Sequence, residues 1–484
     1  MKREFLLSVV LCLGLGTFAQ PGGEGGGPGG GDAPSGGGGG GGASQNEQAN
    51  YTYAASSTGY YQESGTNETS GQTYSSTGSD ENAVLVRGGT FTTNNVTITK
   101  TGDSEQSNMD VTSFYGVNSA VLVKGSSSVV TINGGTITTD AKGANGIICT
   151  DTSTVYVNDV TINCNSSVSR GLHCTFQGTL YATNCTVETQ SETSSAIATD
   201  RGGGTVVVDG GSYIANGRKC AIIYSTGNMT VKNATGASNN TDEGEICDIE
   251  GDNSVTIDNC TFECSGNNRG VMLYQSGSGD ASGYNPTLNI SNSTLTLKSE
   301  SAPFCEVSTA VNAFLTLENC KLTVPSGQLA YINTNSAWNN SNTKYLNLTL
   351  KNGTYYGSVD ADNTGTACVT VASDAIWEGS IDNDQNMSAD TVIVNGTWIM
   401  TEDSYPSYVV INEGATVYTN GYTLGVTPSG SGTLDTSTKM TGISSVKATT
   451  SSNSRKYNLA GQIISDGSAK GIIITEDGKK YLSE

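Results

Sequence analysis

Residues 198–206 read ATDRGGGTV, where Asp200 and Arg201 put an acid beside a base ahead of three glycines. That pattern suits a phosphate cradle, a catalytic corner or a tight bend. A phosphate cradle needs a strand running into a helix, with Lys-Ser/Thr after the glycines. Neither is present, so a nucleotide site is excluded. Asp151, Tyr224, Glu250, Asp252 and Tyr274 occupy turns comparable to that of Asp200 and Arg201. These seven residues are candidate ligand contacts, since carboxylates and tyrosines on adjacent turns would line a shallow groove suited to a sugar chain. As solvated turn residues they are expected to face water.

Catalysis by the same residues meets a distance limit. Glycoside hydrolysis uses two carboxyl groups about 5–9.5 Å apart, and Asp200 and Glu250 fall two repeats apart, about 9.6 Å at strand spacing. A lyase would add a carboxylate cluster for Ca²⁺ and a basic residue. Arg170, Lys219 and Arg269 open repeats at similar positions, but no dense run of aspartates accompanies them. His173 is the single histidine, expected to be a packing or surface residue. No catalytic residue and no metal ligand is therefore assigned, and Ca²⁺ between turns stays open.

The elements that must position these residues repeat. A ten-residue window alternating apolar and polar positions occurs as VTINGGTITT at Val130, VYVNDVTINC at Val155, LYATNCTVET at Leu180 and VVVDGGSYIA at Val206. It continues as MTVKNATGAS at Met229, VTIDNCTFEC at Val255, LNISNSTLTL at Leu288, LTLENCKLTV at Leu315 and LTLKNGTYYG at Leu348, with starts 23 to 33 residues apart. Period-two alternation signals strands, and a repeat near 25 residues is one turn of a parallel β-helix. The fifth column holds Asn184, Asn233, Asn259, Asn292, Asn319 and Asn352, with Gly134 and Gly210 in two other copies. Asparagine and glycine accept a left-handed backbone at low cost, so this column marks a sharp bend in every turn. Stacked asparagines could also exchange amide hydrogen bonds. ATDRGGGTV then becomes a corner between two strands of one turn.

The fold class predicted is all-β: a right-handed parallel β-helix, or solenoid, with a small C-terminal β module. The expected divisions are a signal peptide at 1–19, a Gly-rich flexible segment at 20–50, the β-helix at 51–432 and a C-terminal module at 433–484. The signal reading rests on Lys2 and Arg3, an apolar stretch from Phe5 to Gly16, and Thr17-Phe18-Ala19. It predicts an extracellular or outer-surface location. With 45 acidic against 23 basic residues and a net charge of −22, the chain repels nucleic acid and anionic lipid. Twelve cysteines, eleven without Cys12, form no CxxC pair. Cys185, Cys260 and Cys320 share a column on turns too distant to bridge, so buried free thiols are expected.

FYGVNSAVLVKG, SRGLHCT, ATDRGGGTVVVDGG, AIIYSTGNMTVKNATG, DIEGDNSVTI and VMLYQSGSGDASG, in this order, resemble a group of secreted bacterial and archaeal right-handed β-helix proteins described as adhesin-like. The tail, with YNLAGQ at Tyr457, KGIII at Lys470 and DGKK at Asp477, is similar to the C-terminal sorting module of Bacteroidota that routes cargo through type IX secretion. The resemblance implies a β-helix that binds a glycan, host or biofilm surface without catalysis, with the secretion machinery as a second partner. Two alternatives stay open: a polysaccharide lyase or glycoside hydrolase on this scaffold, and a purely structural surface component.

Overall fold

The computed structural model describes residues 55–438 except 277, 310–311, 334–343 and 363–364, together with three short C-terminal strands. The expected signal peptide and Gly-rich segment lie outside the described residues. Among those described, the chain winds as a parallel β-helix. Up to Ala361 each turn lays one strand on a twelve-stranded first sheet, then one or two strands on the remaining faces; the later turns place their strands on those other faces. Twelve strands at about 4.8 Å give a stack roughly 50 Å long.

Register follows the sequence repeat. Val84, Val121, Ile147, Leu172, Ile197, Ile223, Cys247, Val271 and Cys305 stack on successive turns of the first sheet. All point inward and are buried. The same holds for Val130, Val155, Leu180, Val206, Met229, Val255, Leu288 and Leu315 on the next face. These columns belong to a single apolar core running from Tyr74 to Val417. Alternation places every second side chain in it.

The bend is where the asparagine column put it. Asn184, Asn233, Asn259, Asn292, Asn319 and Asn352 have φ between 44° and 54°, and Gly134 and Gly210 have 68° and 75°. Asn259 donates to Asn233 Oδ1 at 2.7 Å, and Asn319 to Asn292 Oδ1 at 2.8 Å. Between those pairs the ladder shifts: Asn292 gives its amide to Asp258 Oδ1 at 2.8 Å instead of to Asn259. A second amide ladder, Asn158 to Asn133 to Asn94, runs on the outer face two residues after the Thr92–Thr131–Tyr156 column.

All eleven described cysteines are free thiols, and ten are buried. Burial pushes the Cys164 thiol up to about 11 and the Cys264 thiol to about 12, so they act as small apolar groups. The three C-terminal strands, Lys456–Tyr457, Gly471–Thr475 and Lys480–Ser483, form a small antiparallel sheet.

Asn259 tests the bend. Asn259→Val forces a β-branched residue to φ 53° and removes one rung, at a cost of roughly 1–3 kcal/mol. Asn259→Gly keeps the backbone and should cost less. A lower midpoint in urea unfolding for the valine variant than for the glycine variant checks this.

Candidate functional site

The outward column of the first sheet begins apolar and turns polar. Leu85, Leu122 and Ile148 lie in register with His173, then Ala198, Tyr224, Asp248, Met272 and Glu306. Flanking columns bring Arg170 and Arg269 on one side and Asp200, Glu250 and Tyr274 on the other. An outer face of this kind would ordinarily be wet. Here Asp200 is 0 % exposed, Tyr224 0 %, Glu250 1 %, Arg170 1 % and Arg201 6 %. The expectation that the acid and base of ATDRGGGTV face water is therefore overturned.

Two segments cause this burial. One is the stretch after Thr101 that carries a short helix, Asp110–Tyr115. It reaches the sheet through Asn145 Nδ2 donating to Thr112 O at 3.1 Å and Thr175 Oγ1 to Phe114 O at 2.7 Å. Arg170 adds a bond from Nη1 to Ser113 Oγ at 3.0 Å. Phe114, Tyr115 and Phe176 pack as a small apolar cluster there. The other segment is the insertion after Tyr274. Asp252 Oδ1 accepts from the backbone N–H of Tyr284 at 2.7 Å and of Asn285 at 2.6 Å, and Glu250 accepts from Ser276 and Ser278.

Arg201 ties the two segments together. Its guanidinium lies 4.3 Å from the Phe114 ring centroid and donates from Nε and Nη2 to Asp280 Oδ1 at 3.1 and 2.7 Å. The DRGGG corner exists to make this reach. Gly202, at φ 77°, lies against Phe176, where a Cβ would stand 2.6 Å from the ring, and the Gly203 N–H closes the turn on Asp200 O at 2.9 Å. Gly202 and Gly203 thus make the bend, and Gly204 already opens the next strand.

The electrostatics follow from burial. Asp200 pairs with Arg170 Nη2 at 2.8 Å and accepts the Arg201 N–H at 3.0 Å. Even so, desolvation lifts its carboxyl to about 7, with Arg170 opposing and Asp280 adding to the rise. Desolvation lifts Glu250 to about 7 as well, against the hydrogen bond from Ser276. His173 is held well below its usual range by burial and by Arg170. Its 4.0 Å approach to Asp200 is therefore a contact of a neutral imidazole, not an ion pair. Both His173 ring nitrogens lack a hydrogen-bond partner among the described residues. Burial raises the Tyr224 hydroxyl, helped by Asp200, Glu250 and Asp280. A second buried network lies alongside: Arg269 bonds Glu245 at 2.6 Å and Glu306 at 3.0 Å.

Of the seven sequence candidates, Asp200, Arg201, Tyr224, Glu250 and Tyr274 come together on this face. Asp252 does not join them; it is exposed and anchors the insertion. Asp151 stays half-buried in a corner two turns before Arg201, at φ 57°. Sequence reasoning missed Asp280 and Phe114, which lie 79 and 87 residues from Arg201. It also set aside His173, whose outward register position was legible from alternation. Asp200 and Glu250 stand two strands apart, so the roughly 9.6 Å spacing holds. That spacing lies at the outer limit of the roughly 5–9.5 Å that glycoside hydrolysis uses. Among the described residues no group of three or more His, Cys, Asp or Glu could hold a metal ion. Comparison with protein-family models, with curated proteins and with solved structures finds no match to this chain.

Two measurements probe the network. Arg170→Met strands Asp200 without its counter-ion and should cost about 3–5 kcal/mol, most of it recovered in Arg170→Met/Asp200→Leu; denaturation midpoints decide. Glu250, raised from 4.5 to about 7, favours the folded state fully below about 4.5 and loses that contribution as pH rises through 7. Wild-type stability relative to Glu250→Gln should fall by on the order of 3 kcal/mol between pH 4 and pH 8.

Proposed function

We propose that this protein is a secreted, adhesin-like surface rod that binds glycan through the outer faces of its β-helix, without catalysis. The observation that carries this reading is an exposed tyrosine pair. Tyr156 and Tyr181 sit in register on neighbouring turns, each 39 % exposed, with ring centroids 5.1 Å apart and planes 10° from parallel. The stack continues an outward column between Thr131 and Val207, with both rings partly exposed. Thr154 and Thr179 flank it on one side, Asn158 and Thr183 on the other, all outward by alternation. Aromatic rings accept the C–H faces of sugars while hydroxyls and amides bond their hydroxyl groups. Phe314 and Tyr408, 38 % and 62 % exposed, lie further along the same face.

Other features support an extracellular surface role. The N-terminal residues have the layout of a secretory signal, and the tail is similar to the Bacteroidota sorting module, which would make type IX machinery a partner. A net charge of −22 opposes nucleic acid as a ligand. No helix among the described residues is long and apolar enough to cross a membrane. The polysaccharides of a host or biofilm surface are the ligand class these features fit.

Binding to a panel of immobilised neutral glycans tests the reading. At least one should bind, and Tyr156→Ala/Tyr181→Ala should weaken that binding about tenfold or more. Absence of binding to every glycan and to bacterial or epithelial surfaces would overturn it.

A further inference from the structure

The sealed polar column of the first sheet is hard to explain as packing. Its neighbours Leu85, Leu122 and Ile148 bury the same face with apolar side chains, at no desolvation cost. Four turns instead bury His173, Asp200, Tyr224, Asp248 and Glu250, whose charged forms prefer water. The roof over them comes from two segments far apart in the chain. It is fastened by polar contacts to Thr112, Ser113, Phe114 O, Ser276 and Ser278, by Asp252 holding the Tyr284 and Asn285 N–H groups, by packing of Phe114 and Tyr115 on Phe176, and by a bridge from Arg201 to Asp280 and Phe114.

We propose that the helix-bearing segment and residues 278–285 form a cover that opens, and that the face beneath is a cryptic site for a neutral sugar residue. This rests on the glycan-binding reading above and adds a second, gated contact to it. The ligand class follows from the groups present. His173 offers two unpartnered nitrogens and Tyr224 an unpartnered hydroxyl, Tyr224 and Tyr274 offer rings, and Asp200 and Glu250 offer acceptors. Three arginines, Arg170, Arg201 and Arg269, stand on this face among six carboxyl side chains, Asp200, Glu245, Asp248, Glu250, Asp280 and Glu306. A uronate or sulfated sugar is therefore repelled, and a polyhydroxylated neutral one is suited.

The cover should respond to pH. Asp200 faces Arg170, His173, Arg201, Asp280 and Tyr224; Glu250 faces Ser276, Ser278, Tyr274, Tyr224 and Asp280; Asp110 faces Arg201, Asp280 and Arg170. His173, lowered by burial and by Arg170, stays neutral. Asp200 and Glu250, whose closed-state carboxyls titrate near 7, regain ordinary acidity once wet. Rising pH therefore favours opening, an effect complete above about 8.

Hydrogen–deuterium exchange of the full chain at pH 5 and pH 8, corrected for intrinsic rates, reads the cover directly. Amides of 105–118 and 278–285 should exchange at least tenfold faster at pH 8, and in Arg201→Gln at both pH values, while core strands stay protected. Xylohexaose, mannohexaose and cellohexaose, with hexagalacturonate as the anionic probe, read the site. At least one neutral hexasaccharide should bind about tenfold tighter at pH 8 than at pH 5, tighter in Arg201→Gln at pH 5, and without that gain in His173→Phe. Equal corrected exchange at both pH values would overturn the proposal, as would an opened cover with no gain in neutral-sugar binding, or a preference for the galacturonate. Tyr156→Ala/Tyr181→Ala separates the two readings. If that variant loses all glycan binding, the cryptic site is refuted and the outer face stands; if it keeps the pH-dependent part alone, both stand; if it loses nothing, only the cryptic site survives.

Discussion

In-register stacking of one turn on the next is the constraint on which the rest of this protein depends. Each strand of the first sheet finds its hydrogen-bond partners only on the turns above and below, as when Ile147 N–H meets Gly171 O at 3.0 Å and Leu172 N–H meets Ala196 O at 3.0 Å. A slip of one residue would turn every inward side chain outward. The register is therefore held jointly by apolar columns inside and by the left-handed bend in each turn. Asparagine suits that bend because its short side chain tolerates positive φ and then bonds the amide of the next turn.

The same stacking creates long columns of identical environment, and the chain treats its outward columns differently. On one face the columns are open and hold Thr, Asn and tyrosine. On the first sheet they are roofed, so that this sheet is buried on both sides over several turns, as parallel sheets commonly are. Roofing charged residues carries a desolvation cost, offset here by pairing. Arg170 meets Asp200, Arg201 meets Asp280, and Arg269 meets Glu245 and Glu306. The pairs make the face specific without making it strongly stable.

Much of the architecture was legible in the chain itself. Alternation gave the strands, the repeat gave the turns, and the asparagine column gave the bend to the residue, including Asn259 and Asn292 on neighbouring turns. Cysteine columns on distant turns correctly read as free thiols. The ATDRGGGTV corner was placed between the right strands, and its glycines were assigned to a bend. What failed was the environment of its acid and base. Turn residues of a solenoid are wet unless something lies over them, and nothing local in ATDRGGGTV signals a roof.

The sequence by itself determined the winding of this protein, because strand alternation and left-handed bends are local properties repeated at a fixed period. Only the tertiary structure decided which outward face is open. The helix Asp110–Tyr115 and the insertion carrying Asp280 join the chain far from Arg201, 61 residues separating Phe114 O from Thr175 Oγ1 and 79 separating Arg201 from Asp280. Contacts at such separations leave no periodic trace, since each is made once. Burial, and with it the near-neutral carboxyls of Asp200 and Glu250, emerges only when those distant segments meet over the sheet.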